Sequence, residues 1–247
     1  VALRDAAPLP VATDAAQPRS HPCDREVTIM TRHIERQILA LKEKIQRVGT
    51  LVEEAISKSI TAVINLDQPL AQRVLDNDEQ IDRMEVEVEE ECLKILALYQ
   101  PVAADLRFVV AALKINNDLE RMGDLATNIA KRVGPLATGE PCELPGEIRT
   151  MAMRAEEMVR QCLGAVIHAD PTLARQIRDQ DDAVDDARQR VRRKVMDAIR
   201  AHPEKLENLL RINSISKHIE RIADMATNIA EDVIYMVEGD IVRHRDA

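Results

Sequence analysis

The chain has 247 residues with 34 Lys and Arg against 43 Asp and Glu, a formal charge of −9. That balance offers no basic face for a nucleic-acid backbone or for anionic lipid. Three aromatic residues, Tyr99, Phe108 and Tyr235, are too few for base stacking, and no apolar run approaches the roughly 18–20 residues of a membrane-spanning helix.

Residues 1–29 stand apart. They hold Pro8, Pro10, Pro18 and Pro22, show no helical periodicity, and lack the unbroken apolar stretch of a secretory signal. They read as a disordered arm or an over-long gene start. From residue 30 onward, long runs of Ala, Leu, Ile, Val, Glu, Arg and Met favour helix over strand. Pro69, Pro101, Pro171 and Pro203 mark helix starts, because proline is tolerated in a first turn but not in a helix interior. Six helices are predicted, at about 31–66, 69–99 and 102–133, then 147–168, 171–201 and 204–238. Apolar residues recur at i, i+3, i+4 and i+7, as in Val48, Leu51, Val52, Ala55 and Ile56. Residues 134–146, with three glycines and three prolines, form a linker. The four cysteines, Cys23, Cys92, Cys142 and Cys162, make no C-x-x-C pair and read as free thiols in a reducing cytosol.

The chain is an internal duplication. Glu120-Arg121-Met122-Gly123-Asp124-Leu125-Ala126-Thr127-Asn128-Ile129-Ala130 recurs one hundred residues later, from Glu220 to Ala230, with eight of eleven positions identical. Upstream the offset is 103, matching Glu53-Glu54 with Glu156-Glu157, and Asp78 and Asp82 with Asp181 and Asp185. Short connections make neighbouring helices antiparallel. The fold class is therefore all-α: two tandem antiparallel three-helix bundles, residues 30–133 and 147–247, in an elongated molecule.

Four acid-x-x-x-Asp motifs stand at repeat-equivalent places: Asp78/Asp82, Glu120/Asp124, Asp181/Asp185 and Glu220/Asp224. Residues four apart share a helix face, and like charges there destabilise the helix unless a cation joins them. Asp82 and Glu120 each stand nineteen residues from Pro101, while Asp185 and Glu220 stand eighteen and seventeen from Pro203. On antiparallel helices those acids lie level. The eight carboxylates are therefore candidate ligands for hard or borderline cations such as magnesium, manganese, iron or calcium. A solvated acidic face is the alternative. Glycine-rich phosphate loops, G-x-S-x-G and H-E-x-x-H are missing from the sequence, so the sequence gives no sign of an enzyme.

The segments Met30-Thr31-Arg32-His33-Ile34, Gln100-Pro101-Val102-Ala103-Ala104-Asp105-Leu106-Arg107 and both E-R-x-x-D-x-A-T-N-I-A runs resemble the PhoU family. So does the end of the chain, Ala230-Glu231-Asp232-Val233-Ile234-Tyr235 with Arg243-His244. The resemblance implies a homodimer or higher homo-oligomer in the bacterial cytoplasm that negatively regulates phosphate uptake and the phosphate-starvation response. Its implied partners are the ATPase subunit of a phosphate ABC transporter and a sensor histidine kinase. Some members hold iron or zinc clusters on acid-x-x-x-Asp motifs, which carries over to the eight acids named above. Two other functions compete with this adaptor: a metal store or metal-dependent enzyme built on carboxylates, and a helical scaffold with no ligand.

Overall fold

A computed structural model of the protein describes residues 22–240 and 242, with side chains from residue 33 onward. The first 21 residues of the expected arm, and Arg243 and His244, lie outside the described residues. The described chain is helical, with no strand. The first three helices are α1 (Pro22–Asn65), α2 (Gln68–Tyr99) and α3 (Ala103–Ala130). A short helix, α4 (Val133–Thr138), takes the last residue of the predicted third helix and the first five of the expected linker. Next come α5 (Gly146–His168), α6 (Pro171–Arg178), α7 (Asp181–Ala201), a 3₁₀ turn at Pro203–Lys205 and α8 (Leu206–Glu238).

Three boundaries differ from expectation. Helix α1 begins at Pro22, nine residues before the predicted start at 31; a proline in the first turn costs no internal hydrogen bond. The predicted 171–201 helix is interrupted at Asp179-Gln180. There the Gln180 amide bonds the Ile177 carbonyl at 3.0 Å, a tightened i−3 turn. Aspartate is a poor helix former, and this turn lies between Arg178 and the run Asp179-Gln180-Asp181-Asp182. The last helix starts at Leu206 because Pro203–Lys205 close as a 3₁₀ turn.

The repeat extends to the caps. Leu66 and Ala169, 103 residues apart, both adopt the left-handed conformation that ends a helix, with φ of 51° and 49°. In each copy the next residue is an N-cap aspartate. Asp67 accepts from the Leu70 amide at 2.9 Å, and Asp170 accepts from the Thr172 and Leu173 amides at 2.9 and 3.0 Å.

The first bundle is α1, α2 and α3; the second is α5, α6, α7 and α8. The two bundles pack directly against each other. The packing of α3 on α8 is the most extensive between any two helices, and α1 also meets α5. In α3 the stripe Leu119, Met122, Ala126 and Ile129 is buried, continued towards the N-terminus by the buried Ile115 and Phe108, and Val109 is buried on another side. Each fully buried large side chain contributes roughly 1.5–3 kcal/mol. Lys114 on α3 pairs with the buried Asp232 on α8 at 3.3 Å and lies over the Tyr235 ring. Arg107 donates to the Met236 carbonyl at 3.4 Å, so the two helices run antiparallel.

Helix α1 approaches α5 closely at Gly49, where a Cβ would fall inside the van der Waals surface of Leu163. A Gly49→Val variant should therefore lose about 1–3 kcal/mol through overpacking, seen as a drop of several degrees in Tm by calorimetry. Adding Leu163→Ala should return part of the loss; an unchanged Tm in the single variant would show that the contact is loose.

Candidate functional site

The repeated acids occupy the seams where the third helix of each half meets the second. In the first half, Thr127 Oγ1 donates to Asp78 Oδ1 at 2.9 Å. Asn116 Nδ2 donates to the Glu85 carbonyl at 2.9 Å and to its Oε1 at 3.3 Å. Between these contacts a Cβ on Gly123 would meet Ile81 at 3.2 Å. The three contacts set α2 antiparallel to α3, with Asp78 and Asp82 level with Glu120 and Asp124, as the counts from Pro101 implied.

The charges register this crowding. Asp82 is an exposed residue, yet partial desolvation by its neighbours, then Asp78, Asp124 and Glu79, hold its pKa above the usual carboxylate range. Glu120 is raised by burial, then by Asp124, Asp82 and Glu85, against a smaller opposing effect of Arg121. Glu85 is itself raised, by burial and by Glu89 and Asp82.

In the second half, burial and the charges of Asp185, Asp182 and Glu220 push Asp181 up to about 6. Asp224 also reaches about 6, by desolvation first and then through Asp181, Asp185 and Glu220. The Asp181 Oδ1 atom is buried without a hydrogen-bond partner. Its counterpart Asp78 has the Thr127 hydroxyl, but Thr227 donates to its own helix at the Ala223 carbonyl, 3.3 Å away.

The structure thus gathers the eight sequence-predicted acids into two groups of four. It adds residues that the motif search passed over: Glu85 and Thr127 in the first group, and Arg188 in the second, whose Nε lies 3.4 Å from Glu220 Oε2. His218 contacts Ser214 Oγ on its own helix at 3.2 Å. Asp124 and Asp224 also open on to one shared groove of about 400 Å³ across the α3–α8 seam, with Arg121, Arg221, Asn128 and Asn228. The repeat itself was the available signal, since Thr127, Arg121, Asp124 and Asn128 have their counterparts at offset 100 and Glu85 has Arg188 at offset 103.

As the side chains lie, no three carboxylate, imidazole or thiol groups among the described residues stand close enough to hold one ion. The donor chemistry suits a hard cation, being carboxylate oxygen with the partnerless Asp181 Oδ1 and Asn116 Oδ1 beside it. Gathering the ligands requires side-chain rotation, which mutual repulsion opposes until a cation is present. A bound ion would supply neutralising charge and tie α2 to α3, or α7 to α8.

Fold and site together define a duplicated three-helix protein whose last helices pack on each other and whose paired acids lie at the seams. A family model described as the PhoU domain matches residues 45–133 and 148–233, and the chain belongs to the PhoU family. It is 37% identical over 204 residues to a phosphate-specific transport system accessory protein PhoU homolog of Aquifex aeolicus, spanning 83% of this chain and 92% of that one. The homolog of that name in Pseudomonas aeruginosa is 36% identical over 220 residues, 87% and 91% of the two chains. Among solved structures, PhoU from Pseudomonas aeruginosa superposes with a TM-score of 0.80 at 34% identity, covering 83% of this chain and 99% of that one. The phosphate transport system regulatory protein PhoU from Streptococcus pneumoniae gives 0.79 at 28% identity, covering 85% and 99%.

Asp181 carries a linkage consequence. With its folded pKa raised to about 6 from an ordinary 3.8, the native chain holds a proton there, between those two values, that the unfolded chain has released. Its favourable contribution is full below about 4 and is lost as pH rises through about 6. In chelator-treated protein, Asp181→Asn should therefore match the parent Tm near pH 4.5 and exceed it most at pH 7.5. A constant difference across that range, measured by calorimetry, would show that the charge is already compensated.

Proposed function

We propose that this protein is a non-catalytic adaptor that restrains phosphate uptake and the phosphate-starvation response. It works in the cytoplasm as a homodimer or higher homo-oligomer, contacting the ATPase subunit of a phosphate ABC transporter and a sensor histidine kinase. The observation that carries this reading is the match of both repeats to one family, whose relatives named above are accessory proteins of phosphate-specific transport. Among the described residues no helix is long and apolar enough to cross a membrane, which suits a role exerted through protein partners.

The carboxylate seams are the second part of the proposal. Asp78, Asp82, Glu120 and Asp124, with Asp181, Asp185, Glu220 and Asp224, are assigned as ligands for iron, zinc, manganese or magnesium. Support comes from their recurrence in both halves, their level placement across each seam, and carboxylates that repel one another. Thr127 on Asp78 and Asn116 on Glu85 hold α2 and α3 in register, the acids keep negative charge at a partly desolvated seam, and a bound ion would supply the opposite charge.

Deleting the gene should leave phosphate-starvation genes switched on in phosphate-rich medium, and the purified chain should retain the transporter's ATPase subunit in a pull-down. Normal repression in a deletion strain free of homologues, together with no retention of the ATPase subunit, would overturn the adaptor role.

A further inference from the structure

The duplication that places the acids also places one residue of opposite charge. At offset 103, Glu85 of α2 corresponds to Arg188 of α7. Glu85 belongs to the first group: it raises the pKa of Glu120, and its carboxylate receives the amide of Asn116. Asn116 is 1% exposed, and its Oδ1 has no partner. Arg188 belongs to the second group: it is 9% exposed and lies 3.4 Å from Glu220. Its Nε and Nη1 lack hydrogen bonds, so a buried guanidinium is aimed at acids it does not fully engage.

The other cations nearby do not make this difference. Arg121 and Arg221 are repeat equivalents and act alike on their own halves. Arg83 and its counterpart Asp186 are both exposed, and Arg83 turns to Glu79 on its own helix. Counting ionised groups, the first seam carries five acids, Asp78, Asp82, Glu85, Glu120 and Asp124, for a charge of −5. The second carries Asp181, Asp185, Glu220 and Asp224 against Arg188, for −3.

We infer that the two seams are not equivalent: the first is the multivalent-cation site of this chain, and the second is filled by its own cation, Arg188. This rests on the metal-binding part of the proposed function and narrows it to the α2–α3 seam. The guanidinium takes the place that the additional carboxylate takes in the first half. A divalent ion entering the second seam meets one ligand fewer and a fixed positive charge within a few ångströms. Even at the dielectric of water that repulsion weakens binding at least about tenfold.

The test is calorimetric titration of the chelator-stripped full chain with Mn²⁺, with bound manganese counted by elemental analysis and Tm measured with and without the ion. The parent chain should show one tight class of sites. Glu85→Arg and Asp124→Asn should each weaken that class at least about tenfold and abolish the Mn²⁺-induced rise in Tm. Asp224→Asn should leave most of the tight binding and of the rise. Arg188→Glu, which makes the second seam resemble the first, should add a second tight class; should that variant fail to fold, the Asp124 and Asp224 pair still decides the matter. Equal losses in Asp124→Asn and Asp224→Asn, or two equal classes in the parent chain, would overturn the asymmetry and leave metal binding standing. No manganese, iron or zinc retained above trace by the parent chain would overturn the metal reading and this inference together.

Discussion

Packing between α3 and α8 determines where everything else in this molecule can lie. Helix α3 already faces α1 and α2, and α8 already faces α5, α6 and α7, before the two meet each other. Small residues make that possible: Ala111, Ala112, Gly123 and Ala126 on α3, and Ala223, Ala226 and Ala230 on α8, are all buried. A helix enclosed on so many sides has no broad solvated face for its charges. The acids of the E-R-x-x-D segments are therefore forced to the edges, where α2 or α7 closes over them. There Glu120 and Asp224 lose part of their water, and their proton affinities rise.

The duplication has been preserved unevenly, and the pattern separates packing from chemistry. Packing differences compensate. Ile81 packs on Gly123, and the equivalent pair is Val184 and Ala223, which moves one methylene across the seam and keeps the volume. The N-cap aspartates Asp67 and Asp170 both keep their amide bonds. Polar differences do not compensate in the same way. Asp78 keeps the hydroxyl of Thr127, Asp181 has lost the equivalent bond, and Glu85 has become Arg188. Interior volume is held because a void or clash costs stability at once. A change of charge at a seam edge is tolerated more readily, because solvent and counter-charges share its cost.

Much of this was legible in the sequence, for physical reasons that can be named. The self-match of Glu120–Ala130 with Glu220–Ala230 revealed the duplication, and the prolines located the turns because their backbone chemistry permits few other positions. Counting from Pro101 put Asp82 level with Glu120, since two helices leaving one short turn rise at the same rate per residue. What the sequence hid was long-range. Nothing in the periodicity of α3 says which of its apolar stripes faces α8, so the side-by-side docking of the halves was missed. The break at Asp179-Gln180 was hidden as well, because aspartate shifts helix stability by only tenths of a kcal/mol and the interruption depends on what surrounds it.

The difference between an ion and an arginine at these seams is one of exchange. Arg188 is bound to the chain it neutralises: its charge is always present, its position is limited by its stem, and its orphaned Nε and Nη1 carry a desolvation cost in every state of the protein. An ion at the first seam would be exchangeable, and its contribution to holding α2 against α3 would follow its concentration through mass action. Under the proposed asymmetry one half would be fixed and the other responsive. The groove that carries Asp124 from the first seam and Asp224 from the second runs along the α3–α8 contact. A change in charge at the first seam therefore reaches the surface where the two halves meet, next to the Arg121 and Arg221 side chains that line it. For the proposed adaptor, which would act by presenting helical surfaces to partners, that is where a cation would alter what is presented without any rearrangement of the core.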